Sequence, residues 1–483
     1  MSNREKLTSL LGAVLIGILW DRVLYNGFGG LGFSIVMIAL VLFYYVMLAD
    51  KLELKGNKGL LFLAPLFIIM IRSTIYDNKP IQLLNALILP VLMTGTAIIL
   101  WFKDIDYSRL SFIGEILGHM IMYPLIHLGK PFLVLKNRLF SSNSLKAKKV
   151  NPYVVTGIVI SVPLLLIVLV FLSSADMMFS YYVNKFFNTL NFLDNWGISD
   201  ALSHIILVFI FAIYFFSFVW GFSERKEPTS SSASEFAADS VTISIPLAML
   251  NVIYFLFAIV QFSYLYGNGQ LPEGYTYAEY ARRGFFELVA VTIINFSIIL
   301  FGLTKTKSTR AKVSRFCSVL YTLLALFTLN MLYSAHYKMR LYETTYGYTY
   351  LRVYVHLFMA LLLILNLTAL VAIWYKKIKL PKVFVLGSLI FYTLLNVINV
   401  DSFIAKQNIE IYRQNGKIDF HYLTSLSDDA VPYLIELTED SEQEIPPVLV
   451  EDLNNRRERL MEPQSYSIFR FNVSKNRARK LLK

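Results

Sequence analysis

Eleven stretches of this chain are long and apolar enough to cross a lipid bilayer, and that pattern constrains the fold more than any other feature of the sequence. A helix needs about 20 mostly apolar residues to cover roughly 30 Å of hydrocarbon, each residue adding about 1.5 Å. The stretches fall near residues 7–24, 28–48, 59–75, 81–102, 152–173, 201–221, 241–264, 280–303, 315–335, 353–375 and 383–400. Hydrocarbon offers the backbone no water to bond, so spanning segments of this length must be helices. Composition agrees: 56% of the 483 residues are hydrophobic and 16% charged, against about 25% charge in soluble domains. An ordinary soluble protein is excluded. The sequence predicts an all-α integral membrane protein with about 11 transmembrane helices and a small extracytoplasmic, mostly helical C-terminal tail. The first stretch is the weakest, since Asp21-Arg22 follow its short apolar run directly. A signal peptide is the alternative there, but no small-x-small cleavage site follows.

Lys and Arg in short loops stay on the cytoplasmic side. They alternate here: Arg4 and Lys6; Lys51, Lys55 and Lys58; the run from Lys103 to Lys149; Arg225 and Lys226; Lys305 to Lys312; Lys376 to Lys382. The intervening loops are poor in them. This predicts a plasma-membrane protein with a cytoplasmic N-terminus and an extracytoplasmic C-terminus. Three regions follow: 1–150, four spans plus cytoplasmic interfacial helices; 151–400, a seven-span core with a Ser-rich loop at 223–239; and 401–483, the tail. The basic end of the tail, Arg470 to Lys483, is the one feature that would suit an anionic inner leaflet instead.

Residues 108–140 are apolar but interrupted by Glu115, His119, Pro124, His127, Lys130 and Pro131. An interfacial helix pair fits that pattern better than a span. His119 and His127 read as surface histidines, without a third ligand at metal spacing. The lone Cys317 rules out an intramolecular disulfide, so the tail must hold by packing or lean on the membrane part. In the tail, Ser427 reads as the cap of a helix that starts with acidic residues. Nine acids and no bases lie between Asp428 and Asp452, and nine bases and two acids between Arg456 and Lys483. The two blocks are expected to pair as solvated faces.

One polar constellation stands out. Thr276 and Glu279 form a capping box, starting a helix at Tyr277 that runs on into the eighth span. Glu279, Arg283 and Glu287 follow at i, i+4, i+8 and share a face, so Arg283 can bridge both carboxylates. Asn251, Tyr254 and Gln261 of the seventh span fall within an arc of about 80°. The ninth span carries His336 and Arg340 toward its outer end, and Glu343 and Arg352 follow in the short turn before the tenth. Between them Gly347 suits a positive φ and Thr349 a helix cap. An ionisable group at membrane depth is either paired or functional, so these residues are candidates for a polar pocket opening outward.

The runs Tyr277 to Leu288, Leu250 to Tyr254, Tyr264 to Gly267 and Arg340 to Arg352 resemble bacterial multispanning proteins of domain-of-unknown-function family 4173 and its relative 4153. Ser173-Ser-Ala-Asp176, Asn399-Val-Asp401 and Leu426 to Pro432 are similar to the same families. The resemblance implies a multispanning membrane fold and carries no catalytic residue with it.

No phosphate loop, zinc pattern, nucleophile elbow or kinase set is present, which excludes a nucleotide-driven pump within this chain. No cofactor is expected. The leading reading is an outward-facing ligand-binding, sensing or envelope-assembly protein. Its partners would be the lipid bilayer and an envelope polymer, a lipid-linked ligand or another membrane protein, and not nucleic acid. A membrane transferase acting on a lipid-linked substrate at the outer leaflet is the second reading. An ion-coupled transporter is third, weakened by the lack of a repeat between the six-helix and five-helix halves.

Overall fold

The computed structural model describes residues 3–26, 29–48, 59–102, 106–139, 198–224, 238–261, 285–307, 311–440 and 446–483. They belong to two compact units. The first comprises Met1–Ile75, Pro80–Thr229 and Pro463–Val473; the second comprises Tyr76–Lys79, Ser230–Glu462 and Ser474–Lys483.

The first unit is built on α1 (Asn3–Asn26), α2 (Gly30–Leu48), α3 (Leu60–Ile75), α4 (Lys79–Trp101), α5 (Leu110–Leu117), α6 (Tyr123–His127), α7 (Lys130–Leu139) and α8 (Ile198–Glu224). α1 lies along α8. Asp21, which closes the apolar run of α1, is 5% exposed and meets His204 Nδ1 at 2.7 Å. Tyr25 stacks on the same imidazole, ring centroids 3.7 Å apart. Trp20 stacks on Phe211 and Tyr44 on Phe218, so the aromatic face of α8 supplies the core between these helices.

The interrupted stretch is helical, with a π turn at Gly118–Met122. Its cause is Pro124, which has no N–H to give the Met120 carbonyl. Tyr123 N–H bonds back to Gly118 O instead, and the Tyr214 hydroxyl donates to Met120 O at 3.0 Å. The surface reading of the histidines is corrected here. His119 is 1% exposed, packed among Phe102, Tyr123 and Phe222, because the π turn rotates it off the polar face. His127 is largely covered and meets Glu224 at 2.9 Å, which also holds Lys130. The segment Pro463–Val473 joins this unit through Leu31 N–H to Phe471 O, 2.8 Å, and the Asn472 amide to Ser73 O, 2.9 Å.

The second unit contains α9 (Ser240–Gln261), α10 (Phe285–Lys305), α11 (Ala311–Tyr346), α12 (Tyr350–Trp374) and α13 (Leu380–Val397). A two-residue parallel pair, Ala238-Asp239 with Thr306-Lys307, precedes α9 and follows α10. The 36-residue α11 is the hub. It packs on α9, α10 and α12, burying Leu324 and Ala325 against Leu247, Ile299 and Ala369.

The tail continues as α14 (Val400–Asn415), α15 (Phe420–Thr424), α16 (Val431–Asp440), α17 (Pro447–Met461) and α18 (Val473–Leu481). Asn399 caps α14 by accepting from Ser402 N–H, and Gly416 closes it at φ +70°. Ser427 caps a short 3-10 turn, Asp428–Ala430, which runs into α16. The tail's core, Val400, Ile404, Ile409, Leu423, Leu434 and Leu449, includes Val353 and packs on Tyr350, Tyr354 and Leu357 of α12. It therefore leans on the start of a long apolar helix rather than standing alone.

Among the described residues, seven helices are long and apolar enough to cross a membrane: Glu5–Tyr25, Gly30–Met47, Lys79–Trp101, Ser203–Glu224, Lys312–Arg340, Tyr350–Trp374 and Leu380–Val397. Leu60–Ile75, Ile243–Ile259 and Leu288–Thr304 are shorter apolar helices. The predicted stretch at 152–173 lies outside the described residues. Large aliphatic and aromatic side chains such as Ile205, Phe209, Met249, Val252 and Ile390 face outward, the surface that lipid rather than water solvates.

Candidate functional site

The predicted polar residues separate into two groups. Asn251 and Tyr254 sit between helices in the apolar bundle. Asn251 donates to Leu247 O of its own helix at 2.9 Å and to Leu320 O of α11 at 3.1 Å. Tyr254 donates to Asn295 of α10 at 2.8 Å, and Asn295 in turn donates to Thr328 of α11 at 3.0 Å. These bonds join α9, α10 and α11 side by side. Gln261 ends α9 and Glu287 lies in the first turn of α10, their side chains not among those described. Glu279 and Arg283 lie outside the described residues.

The second group is at the far end of α11, about 24 Å along the helix from Leu320. Glu343, 4% exposed, accepts from His356 of α12, Nε2 to Oε2 2.7 Å. His356 Nδ1 lies 3.1 Å from Nδ1 of the exposed His336. Arg340 is exposed and acts electrostatically on His336, as does Glu343. Arg352 lies over the Tyr342 ring at 4.2 Å and donates to the carbonyls of Tyr346 and Gly347. The turn between the helices takes the predicted positive φ at Gly347, +73°. Thr349 stands at the cap position in extended backbone, but its side chain makes no capping bond. Asn408 grips this turn instead, accepting from Tyr348 N–H at 2.6 Å and donating to Tyr348 O at 2.9 Å.

A further polar cluster among the described residues of this unit carries no predicted site residue. Asp401, fully buried, accepts from Asn78, from the Tyr350 hydroxyl and from Ser427 N–H, the last at 2.9 Å. Tyr354 donates to Asn78 at 3.0 Å, and the Tyr422 hydroxyl accepts from Tyr350 N–H at 2.7 Å. Asp429, 3% exposed, accepts from Asp77 N–H at 2.8 Å, from Asn399 at 3.1 Å, and from Ser427 and Ser474. Lys475 pairs with Asp77 at 3.0 Å. Burial is the largest influence on the Asp77 carboxyl and pushes it up to about 6; Lys475 pulls down, and Asp428 and Asp429 push further up. Burial also raises Asp429, with Ser474 opposing.

Arg456 completes the cluster. It donates to Asp428 at 3.0 Å, to Asp452 at 2.6 Å, and to the carbonyls of Thr424 and Leu426 at 2.7 and 2.8 Å. Arg459 reaches the same Asp428 oxygen at 2.7 Å. The acidic and basic blocks of the tail do pair, but the expected solvated faces are corrected: Arg456 is 5% and Asp428 1% exposed. α17 folds back over the 3-10 turn and covers them. Among the described residues, no three His, Cys, Asp or Glu side chains could hold a metal ion.

The signal for this cluster was present but weak. Asp77-Asn78 is a polar pair between two apolar stretches, and Asp401 closes the last one. Nothing in sequence order links positions more than three hundred residues apart.

These features define an all-helical membrane protein whose apolar helices contact the bilayer. The chain belongs to a family described as a domain of unknown function, DUF4153, whose model matches residues 59–437. This is the second of the two related families that its motifs resemble. No curated protein and no solved structure matches the chain.

Proposed function

We propose that this is a multi-pass protein of the bacterial plasma membrane whose tail faces outward and serves ligand binding, sensing or envelope assembly. The observation that carries the reading is the convergence on Asp401. Asn78 from the turn after α3, Tyr350 from the turn after α11 and the segment after α13 all meet there. Charge bias assigns those same three junctions to the outside when eleven crossings are counted. Three independently assigned junctions meeting at one carboxylate support a common side for them and for the tail.

The chemistry of the cluster fits transmission rather than turnover. Asp401 and Asp429 have their oxygens engaged by donors from several elements, so the tail is coupled to the starts of α12 and α14 by bonds that form or break together. A partner gripping α16 or α17 would thus pull directly on α12.

Cysteine accessibility in intact cells tests the orientation. In a Cys317→Ala background, a new cysteine replaces exposed Asn454 of α17 or exposed Lys377 between α12 and α13. A membrane-impermeant maleimide is expected to label Asn454→Cys in intact cells and Lys377→Cys only after permeabilisation. The reverse pattern overturns the outward tail.

A further inference from the structure

Glu343 is used neither by the Asp401 cluster nor by the tail's core. One oxygen of its buried carboxylate meets His356, while Oε1 is buried with no hydrogen-bond partner among the described residues. The His356 ring meets His336 edge to face, centroids 4.9 Å apart at 71°. An ionised carboxylate can only accept, so His356 donates from Nε2. With both rings neutral, its Nδ1 holds a lone pair and His336 donates from its own Nδ1, leaving His336 Nε2 as the outermost acceptor. That pair of tautomers is the one proposed below for the unloaded chain. α11 makes this site reachable. At about 1.5 Å per residue it is roughly 54 Å long, far more than about 30 Å of hydrocarbon requires. The stretch apolar enough to cross a membrane runs Lys312–Arg340, so His336 lies in its last turns, with exposed Arg340 at its end.

We propose that His336, His356 and Glu343 form a proton-transfer chain that loads one proton from the membrane surface onto a buried carboxylate. A proton from water bonds to His336 Nε2. The His336 Nδ1–H bond breaks and that proton passes to His356 Nδ1. The His356 Nε2–H bond breaks in turn, and its proton passes to Glu343 Oε2. The water has lost one proton, Glu343 has gained one, and no electrons have moved. Each ring is left protonated on its other nitrogen, so unloading retraces the same bonds. The chain is a reversible one-proton store.

A structural ion pair between α11 and α12 would need only Glu343 and His356. The second histidine adds the link to the surface. Among the described residues, Arg340 of α11 acts on His336, Tyr348 lies in the turn, and Arg352 of α12 is held over Tyr342. Glu343 and Arg340 both act on Tyr348. Loading therefore removes the negative charge that faces Arg340 and the Asn408-gripped turn. The inference goes beyond the proposed outward tail and holds whichever way the tail faces.

The test uses the full chain in lipid nanodiscs, with infrared difference spectroscopy after an acid pH jump. A protonated-carboxyl band is expected in the unaltered protein and absent in Glu343→Gln. His336→Gln keeps the Glu343–His356 bond; it is expected to retain the band's amplitude while slowing its appearance by at least about tenfold, since a positioned shuttle accelerates proton transfer by about 10²-fold or more. A merely structural histidine would leave that rate unchanged, and this result overturns the relay. So does the absence of a Glu343 band in the unaltered protein. Should Glu343→Gln fail to fold, nitrogen NMR of labelled histidines reads the tautomers directly. Before the acid jump, His356 Nε2–H with His336 Nδ1–H supports the chain, and the opposite tautomer at either ring under that condition overturns it.

Discussion

Replacing Arg456 by methionine keeps the apolar stem and removes the guanidinium that organises the tail. In the folded protein that group serves Asp428, Asp452 and the carbonyls of Thr424 and Leu426. Without it, Asp428 remains 1% exposed, its carboxylate held among the described residues by the half-exposed Arg459. Breaking a buried pair from one side costs about 3–5 kcal/mol, and a buried carbonyl left without a donor adds about 1–3 kcal/mol. Arg459 offsets part of this, so the expected loss is about 3–5 kcal/mol. At about 1.4 kcal/mol per factor of ten, the tail should open roughly a hundred- to a few thousand-fold more often. Hydrogen exchange on the full chain in nanodiscs reads this directly. Amides of α16 and α17 should exchange faster by that factor, while mid-helix amides of α11 keep their protection. Adding Asp428→Asn removes the stranded charge and should restore about 1–2 kcal/mol, because loss of both partners costs less than loss of one. An increase of less than about tenfold in exchange, or a double variant no better than the sum of the singles, refutes the view that this pair organises the tail.

Three more outcomes follow from the geometry. The Asp77 carboxyl lies at about 6 in the folded protein against 3.8 ordinarily. Its contribution to stability is therefore fully present below about 4 and lost as pH rises through about 6, a difference of roughly 3 kcal/mol; pH-dependent exchange should show it, and Asp77→Asn should flatten the profile. Gly347→Ala places a Cβ 2.6 Å from Asn408 Oδ1 at φ +73°, whereas Gly416→Ala at φ +70° meets nothing within 4 Å. Thermal unfolding should show about 1 kcal/mol of backbone strain at Gly416 and roughly 2–3 kcal/mol at Gly347, and equal losses would refute the grip of Asn408 on the turn. Asn295→Ala removes the bonds to Tyr254 and Thr328, yet such interhelical bonds average about 0.6 kcal/mol in membranes. Steric-trap unfolding should register a loss of that order, and several kcal/mol would mean that this polar seam is structurally dominant.

Membrane helices were readable because their requirement is local. A run of apolar residues must form its own hydrogen bonds, so hydropathy located α1 to α4, α8 to α10, α12 and α13 to within about five residues, whereas α11 runs eleven residues beyond the stretch expected at 315–335. Local caps were readable for a similar reason: Ser427 and Gly347 act within a turn of chain. Thr349 shows the limit of that argument, since its backbone takes the cap position while Asn408, from a distant helix, binds the turn. Pro124 marked an interruption, but the π turn that buries His119 depends on Tyr214 being there to take up a freed carbonyl.

The site was less legible because its partners are distant in sequence. His336, Arg340, Glu343 and Arg352 were recognisable as polar residues at helix ends, and three-dimensional packing adds His356, which in sequence is one polar residue among many on an apolar helix. Asp77, Asn78, Asp401, Asp428 and Arg456 come from separate segments, and each alone reads as a solvated loop or cap residue. Hydropathy and charge determine that the chain is helical and membrane-embedded, because each span satisfies its own backbone. Which carboxylate is buried, and which distant donor neutralises it, only the tertiary structure decides, because a charge leaves water only where packing brings a partner to it.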